Sequence, residues 1–208
     1  MTSREAETVV RLRNELSEFS RRAFHRNLVG GTGGNMSVRI PGTEKVLVTP
    51  SGVSLADVEP GTNLLVRLDG AILENPSNLV PSMETGFHLA AYELRPDVGA
   101  IAHLHPPYAT GYSHRGKPLP LVTISARVAL KEVPAIESAM PGSRDLCEFV
   151  KGGILRYPGV KAFLMSKHGI LTLGEDLKAA YYLADLVENT AHVAFVAGNL
   201  HDEGRRDP

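Results

Sequence analysis

The chain has 208 residues, 43% of them hydrophobic, enough to bury one substantial core, so a single domain over 1–208 is expected, with 199–208 as a polar, flexible tail. Its 22 basic and 23 acidic side chains give a formal net charge of -1, without the basic footprint of a nucleic-acid or anionic-membrane binder. The single cysteine, Cys147, closes no internal disulfide, and no apolar run approaches the roughly 20 residues of a membrane helix. A cytoplasmic protein with neither nucleic-acid nor membrane partners is the expectation.

Between Arg4 and about Asn27, Val9, Leu12, Leu16, Phe19, Ala23 and Phe24 recur at helical spacing with charges on the other face. This segment mixes charges throughout and has no apolar signal core. "LVGGTGGNMSVRI" ends the helix, because four glycines in five positions cannot continue it without a large entropic cost. "MSVRI" and "KVLVTP" predict a hairpin turning at "PGTE". "PSGVSLADVEPGTNLLVRLDGAILE" holds a helical turn, a strand and a further turn at "LDG". A helix follows in "VPSMETGFHLAAYELRPDVGA", with Ser82 as its N-cap, Glu84 and Thr85 in its first turn and Pro96 past its end.

"VGAIAHLHP" predicts a strand, and "RGKPLPLVTIS" and "VALKEVPAI" two more. Glu137–Gly153 starts as a loop and turns helical around "SRDLCEFVKGGI"; "VKAFLMSKHGILTLG" is strand, interruption, strand. Leu177 to Ala197 places Leu177, Ala180, Tyr181, Ala184, Val187, Ala191 and Ala194 on one helix side. Many short strands with few βαβ alternations predict an α/β chain whose sheet is antiparallel or mixed and flanked by helices.

Side chains alternate across a strand, so His103 and His105 in "AHLHPPY" face the same way, roughly 7 Å apart along it. They read as a hydrogen-bonded core pair or as two legs of a metal site. His168, followed by glycine at the break between two apolar strands, is the candidate third leg, or a core histidine at a bulge. Three imidazoles with one open position make a catalytic zinc site, and nitrogen ligands also suit cobalt, nickel or manganese. Glu84 is either a solvated carboxylate favoured by the helix dipole or a general acid/base, or fourth ligand, beside the ion. "GGTGGN" lacks the Gly-Lys-Ser/Thr of a Walker loop and does not open a helix after a strand. With "TPSG" and "VPS" it is plain turn chemistry or a cradle of hydroxyls and amides for an oxyanion.

"GTGGNMSVR", "VTPSG", "PSMETGFHLAAYELRPDVGAIAHLHPPYAT" and "KHGILTLGEDLKAAYYLADLVENTAHVA" occur in the order and spacing of the class II aldolase/adducin superfamily. The chain resembles that superfamily from its N-terminal helix to about Gly198, with L-fuculose 1-phosphate aldolases as the nearest likeness. The resemblance implies a three-layer α/β/α fold around a largely antiparallel sheet, in a homotetramer with active sites between subunits. It implies that His103, His105 and His168 bind a divalent metal, usually zinc, and that Glu84 is the catalytic acid/base. Asn35, Ser51, Gly52 and Ser82 match positions that hold the substrate phosphate. The implied reaction cleaves or forms the C3–C4 bond of a ketose 1-phosphate through a metal-stabilised enediolate, giving dihydroxyacetone phosphate and a small aldehyde. Adducin-type scaffolds lack the metal histidines that are present here.

Two positions depart from the aldolase pattern. Many of these enzymes have a second phosphate-binding serine where this chain has Met83, whose thioether donates no hydrogen bond. The tyrosine that a neighbouring subunit supplies near the aldehyde falls by register at about Ile124, leaving Tyr108, Tyr112 and His114 as nearby substitutes. A pentulose-phosphate 4-epimerase, which generally has aspartate in place of Glu84, a keto-acid (phosphate) decarboxylase and a methylthioribulose-phosphate dehydratase are the alternatives on this scaffold.

Overall fold

The computed structural model describes residues 2–200. Its first helix, α1 (Ser3–His25), begins at Thr2, whose hydroxyl accepts from the Glu5 amide at 3.2 Å. The apolar stripe buries Val9, Leu12, Leu16, Phe19 and Ala23. Complete burial of a side chain such as Leu16 contributes about 1.5–3 kcal/mol. The strands β1 (Asn35–Arg39), β2 (Lys45–Val48), β3 (Leu64–Arg67) and β4 (Ile72–Glu74) form an antiparallel meander, with a 3-10 turn at Pro60–Thr62. Then come α2 (Thr85–Leu94), β5 (Ala100–Leu104), α3 (Pro107–Ser113), α4 (Ile124–Leu130), β6 (Ala135–Ile136), α5 (Arg144–Arg156), β7 (Ala162–Met165), β8 (Gly169–Gly174) and α6 (Leu177–Asn199).

One eight-stranded sheet runs β4-β3-β2-β1-β5-β8-β7-β6, antiparallel except for the β6–β7 pair. Alternation along β5 divides the core. Ala100, Ala102 and Leu104 pack with α1, α3, α4 and α6 on one face, while Ile101 packs with α2 and α5 on the other. The architecture is therefore three-layered α/β/α, as the resemblance implies. At the sheet centre, register sets Asn35 of β1 opposite His103 of β5, and His103 opposite Leu171 of β8.

Three local expectations are corrected. Ser82 does not cap α2: Glu84 holds the N-cap position, Thr85 is the first helical residue, and the Ser82 hydroxyl accepts from the Glu84 amide at 3.3 Å. "RGKPLPLVTIS" is no strand, since Pro118 and Pro120 cannot donate to a ladder. Thr123 there caps α4 by accepting from the Ala126 amide at 3.2 Å. In "VALKEVPAI" only Ala135–Ile136 pairs as strand. Helix α3 and strand β4 are additional elements that the periodicity of the sequence did not predict. The amides of Tyr108 and Ala109 at the start of α3 donate to Glu188 of α6, at 3.0 and 2.8 Å, a tie with no local sequence signal. Of the expected tail, 201–208 lie outside the described residues. Among the described residues, no helix is long and apolar enough to cross a membrane.

Candidate metal centre and active site

His103 lies next to the end of β5, His105 just beyond it, and His168 in the turn between β7 and β8. The antiparallel β5–β8 pair carries that turn to the end of β5, so the three rings meet although His168 is 63 residues from His105 in the chain. One nitrogen of each ring lies within 4.8 Å of the others. Glycine makes the approach possible. A Cβ on Gly169 would lie 2.5 Å from His105 Cδ2, and one on Gly33 would lie 2.9 Å from His105 Nδ1. Gly169 thus allows close approach, and it is Lys167 that takes the positive φ of the turn.

His103 is fully buried, and its Nδ1 donates to the Ile170 carbonyl at 2.9 Å. A carbonyl only accepts, so Nδ1 carries a hydrogen and Nε2 is the ring nitrogen turned to the site. That Nε2 faces His105 Nε2 at 3.0 Å and Glu84 Oε2 at 3.2 Å. His168 Nε2 lies 3.4 Å from Glu84 Oε1, and its Nδ1 contacts the Ser138 hydroxyl at 3.1 Å. Glu84 Oε1 is buried and has no hydrogen-bond partner among the described residues. Converging imidazole lone pairs and an orphaned carboxylate oxygen fit a divalent cation, which turns their mutual repulsion into coordination.

Glu84 does not cap its helix and is only 7% exposed, so it is not the solvated carboxylate that the helix dipole alone would explain. Burial pushes its carboxyl up, but His103, with Asn35 and His168, outweighs burial and holds it down at about 2. Burial, then the neighbouring His103 and His168, lowers His105 to about 3; burial and His103 also lower His168. These two shifts favour neutral rings at His105 and His168, the form that binds metal.

Behind Glu84 runs a buried polar row. Asn35 Nδ2 donates to Glu84 Oε2 at 2.8 Å, and Asn35 Oδ1 meets His88 Nε2 at 2.6 Å. His88 Nδ1 meets the Ser37 hydroxyl at 2.7 Å, and that hydroxyl meets the Tyr92 phenol at 2.8 Å. Sequence reasoning missed His88, Tyr92 and Ser37. Their signal was present: Glu84, His88 and Tyr92 recur every four residues on α2, and Asn35 and Ser37 share one face of β1.

A cavity of about 170 Å³ opens beside the histidines, lined by Asn35, Ser51, Gly52, Ser82, Glu84, His105 and His168 among others. Its two loops lie together because the Ser51 amide donates to Val80 and the Ser82 amide to Thr49, at 2.8 and 3.3 Å. Among the described residues no lysine or arginine lines it; its donors are hydroxyls and amides. Met83 stands at its rim, 66% exposed, while Tyr108, Tyr112, His114 and Ile124 do not line it. A larger hollow of about 880 Å³, between α1 and the start of α6, holds none of the histidines, so the chemistry resides in the smaller one.

Residues 14–195 match the family described as Class II Aldolase and Adducin N-terminal domain. The chain is 30% identical over 189 residues to an L-fuculose phosphate aldolase of Methanococcus maripaludis, covering 89% of this chain and 99% of that one. It is 33% identical over 182 residues to a 5-methylthioribulose-1-phosphate/5-deoxyribulose-1-phosphate aldolase of Rhodospirillum rubrum, covering 88% of this chain and 79% of that one. The solved structure of an L-fuculose 1-phosphate aldolase superposes with a TM-score of 0.83 at 30% identity, over 92% of this chain and 91% of that one. With its sheet order, its layers and its cluster of imidazoles already described, the chain belongs to the class II aldolase and adducin family.

Proposed function

We propose that this protein is a zinc-dependent aldolase acting on a ketose 1-phosphate of the L-fuculose 1-phosphate type, releasing dihydroxyacetone phosphate and a small aldehyde. The observation that carries this reading is the convergence of three imidazole nitrogens and a buried carboxylate beside a cavity of hydroxyl and amide donors. His103, His105 and His168 hold the ion; cobalt, manganese and nickel suit the same nitrogens. A bound divalent cation supplies Lewis-acid polarisation of the ketone carbonyl.

Ser51, Gly52, Ser82 and the free N–H of Asn35 receive the phosphate and place C3 before Glu84. In cleavage, the C4 hydroxyl gives up its proton, the C3–C4 bond breaks and the aldehyde leaves. Glu84, having taken a proton from solvent, delivers it to C3 of the three-carbon fragment; in synthesis, its carboxylate removes a proton from that carbon and returns it to solvent. A carboxyl held near 2 is ionised at neutral pH and enters the cycle as the base.

No tyrosine of this chain lines the cavity among the described residues, so the C4 hydroxyl proton goes to a group of a neighbouring subunit or to solvent. A homotetramer with shared active sites is consistent with two features. The cavity is smaller than the roughly 300 Å³ at which small-molecule sites begin. In addition, Ile124, Val128, Phe195 and Leu200 are large apolar side chains left exposed.

Met83 favours a second reading, a keto-acid decarboxylase, since the rim offers a thioether where a phosphate would gain a hydroxyl. A turnover screen of the zinc-loaded protein against ketose 1-phosphates, their unphosphorylated counterparts and keto acids tests both. Dihydroxyacetone phosphate released from a ketose 1-phosphate supports the aldolase. Carbon dioxide from a keto acid without such cleavage replaces it with the decarboxylase.

A further inference from the structure

The polar row behind Glu84 has a direction, and chemistry at its two ends sets it. At the site end, a carboxylate beside a cation is ionised and only accepts hydrogen bonds, so the Asn35 amide must present its N–H to Glu84 Oε2. The amide then turns Oδ1 toward His88, and that oxygen also only accepts. The 2.6 Å contact with His88 Nε2 therefore requires a hydrogen on Nε2. His88 is 2% exposed and meets no carboxylate, so its ring is neutral; burial, with His103 a lesser cause, lowers it to about 3. A neutral ring with Nε2 protonated has a bare Nδ1, which accepts from Ser37 Oγ at 2.7 Å. Ser37, having given its hydrogen to His88, accepts from the Tyr92 phenol at 2.8 Å. The sequence is one-way: Tyr92 to Ser37 to His88 to Asn35 to Glu84.

We infer that His88 is a positioning residue whose Nε2–H locks the Asn35 amide in one orientation, so that Asn35 pins Glu84 Oε2 and leaves Oε1 as the oxygen that moves protons to and from the substrate. The inference rests on the aldolase reading for the substrate and on this chain's own hydrogen bonds for the geometry. Two further facts support it. Each carboxylate oxygen faces one imidazole, Oε2 that of His103 and Oε1 that of His168, but only Oε2 also has the Asn35 N–H, while Oε1 is buried without a hydrogen bond among the described residues. Furthermore, among the described residues His88 is the sole hydrogen-bond partner of Asn35 Oδ1, so it alone anchors that side of the amide. Without the Nε2–H, the amide keeps only its bond to Glu84 and loses the second anchor that fixes its tilt and position against the carboxylate. The four-residue spacing on α2 makes the device rigid, since acid/base, ring and phenol stand on successive turns of one helix face.

The test has two independent arms. In the full-length protein labelled with nitrogen-15 in its imidazoles, with zinc bound, His88 should carry a hydrogen on Nε2 and none on Nδ1 at neutral pH. A hydrogen on Nδ1, alone or with one on Nε2, overturns the inference. The second arm follows exchange of the C3 hydrogen of dihydroxyacetone phosphate in His88→Gln and His88→Leu. Glutamine retains an N–H donor and should keep kcat within several-fold of the parent. Leucine should lower kcat by roughly 10- to 100-fold, with KM and zinc content unchanged. Equal losses in both variants, or none in the leucine variant, overturn it. If neither variant folds, the nitrogen spectrum of the parent decides. If the parent neither exchanges this hydrogen nor cleaves any sugar phosphate, the aldolase reading fails, and the spectrum still reports on the His88 hydrogen.

Discussion

The Nε2 atoms of His103 and His105 stand 3.0 Å apart, with their ring planes 75° from one another. In the proposed centre one cation accepts the lone pairs of both nitrogens. Elemental analysis of the purified protein should therefore find about one zinc-like ion per chain. His105→Ala should lose the ion and the activity while keeping the fold, because His105 lies past the strand end and is half-buried. Removal of the ion with a chelator should abolish activity, and zinc should restore it. A folded, active His105→Ala protein would defeat the proposed chemistry.

Glu84→Gln keeps the size of the side chain and removes its proton affinity. Exchange at C3 of dihydroxyacetone phosphate should slow by about 10²- to 10⁴-fold, with zinc retained by the three imidazoles. Unchanged exchange would take Glu84 out of the acid/base role.

Gly33 offers a steric test of the centre that leaves the ligands chemically intact. Its φ is not in the left-handed region, so alanine there is unstrained, but the new Cβ would lie 2.9 Å from His105 Nδ1 and force the ring to move. Gly33→Ala should weaken zinc binding by roughly 10- to 100-fold, read by competition with a chelating dye, with little change in Tm. An unaltered affinity would show that His105 can be displaced without consequence.

Met83→Ser adds a hydroxyl at the rim of the cavity. Should the substrate phosphate rest there, KM for the phosphorylated ketose should fall by about 10-fold, the value of one hydrogen bond to a charged group. The unphosphorylated sugar should show no gain. Equal effects on both would move the anionic group away from this loop.

His88 gives the fold an acid limit. Its ordinary value of 6.5 is lowered to about 3 in the folded protein, chiefly by burial, so below 6.5 the unfolded chain binds a proton that the folded chain refuses. Stability therefore falls as pH drops from 6.5 toward 3, with a slope of at most about 1.4 kcal/mol per pH unit from this one group. Denaturant unfolding in the presence of a chelator should show the parent losing stability over that window more steeply than His88→Gln. Parallel curves would mean that His88 titrates freely.

Zinc and the sugar phosphate are proposals that these measurements decide. The long amphipathic helices α1, α5 and α6, the β1–β2 hairpin and the interruption at His168 were all legible from periodicity and punctuation, because local spacing determines which face can be buried. "LPLVTIS" was not, because its β-branched residues resemble a strand while its prolines remove the donors that a strand needs. Ser82 was misplaced by two residues because a serine before an apolar helix looks like a cap whether or not its hydroxyl meets the right amide.

From residue order alone come the candidate ligands, the loops rich in small donors and the side of each helix that faces inward. Only the tertiary structure decided that His103, His105 and His168 meet, because the register of β5 with β8 brings a distant turn beside a strand end. It also decided that Glu84 is buried with one oxygen held by the Asn35 amide and the other facing His168, which depends on Asn35 pairing with His103 in the sheet. Pairing between strands far apart in the chain is a long-range choice, and no local pattern specifies which side chains it will bring together.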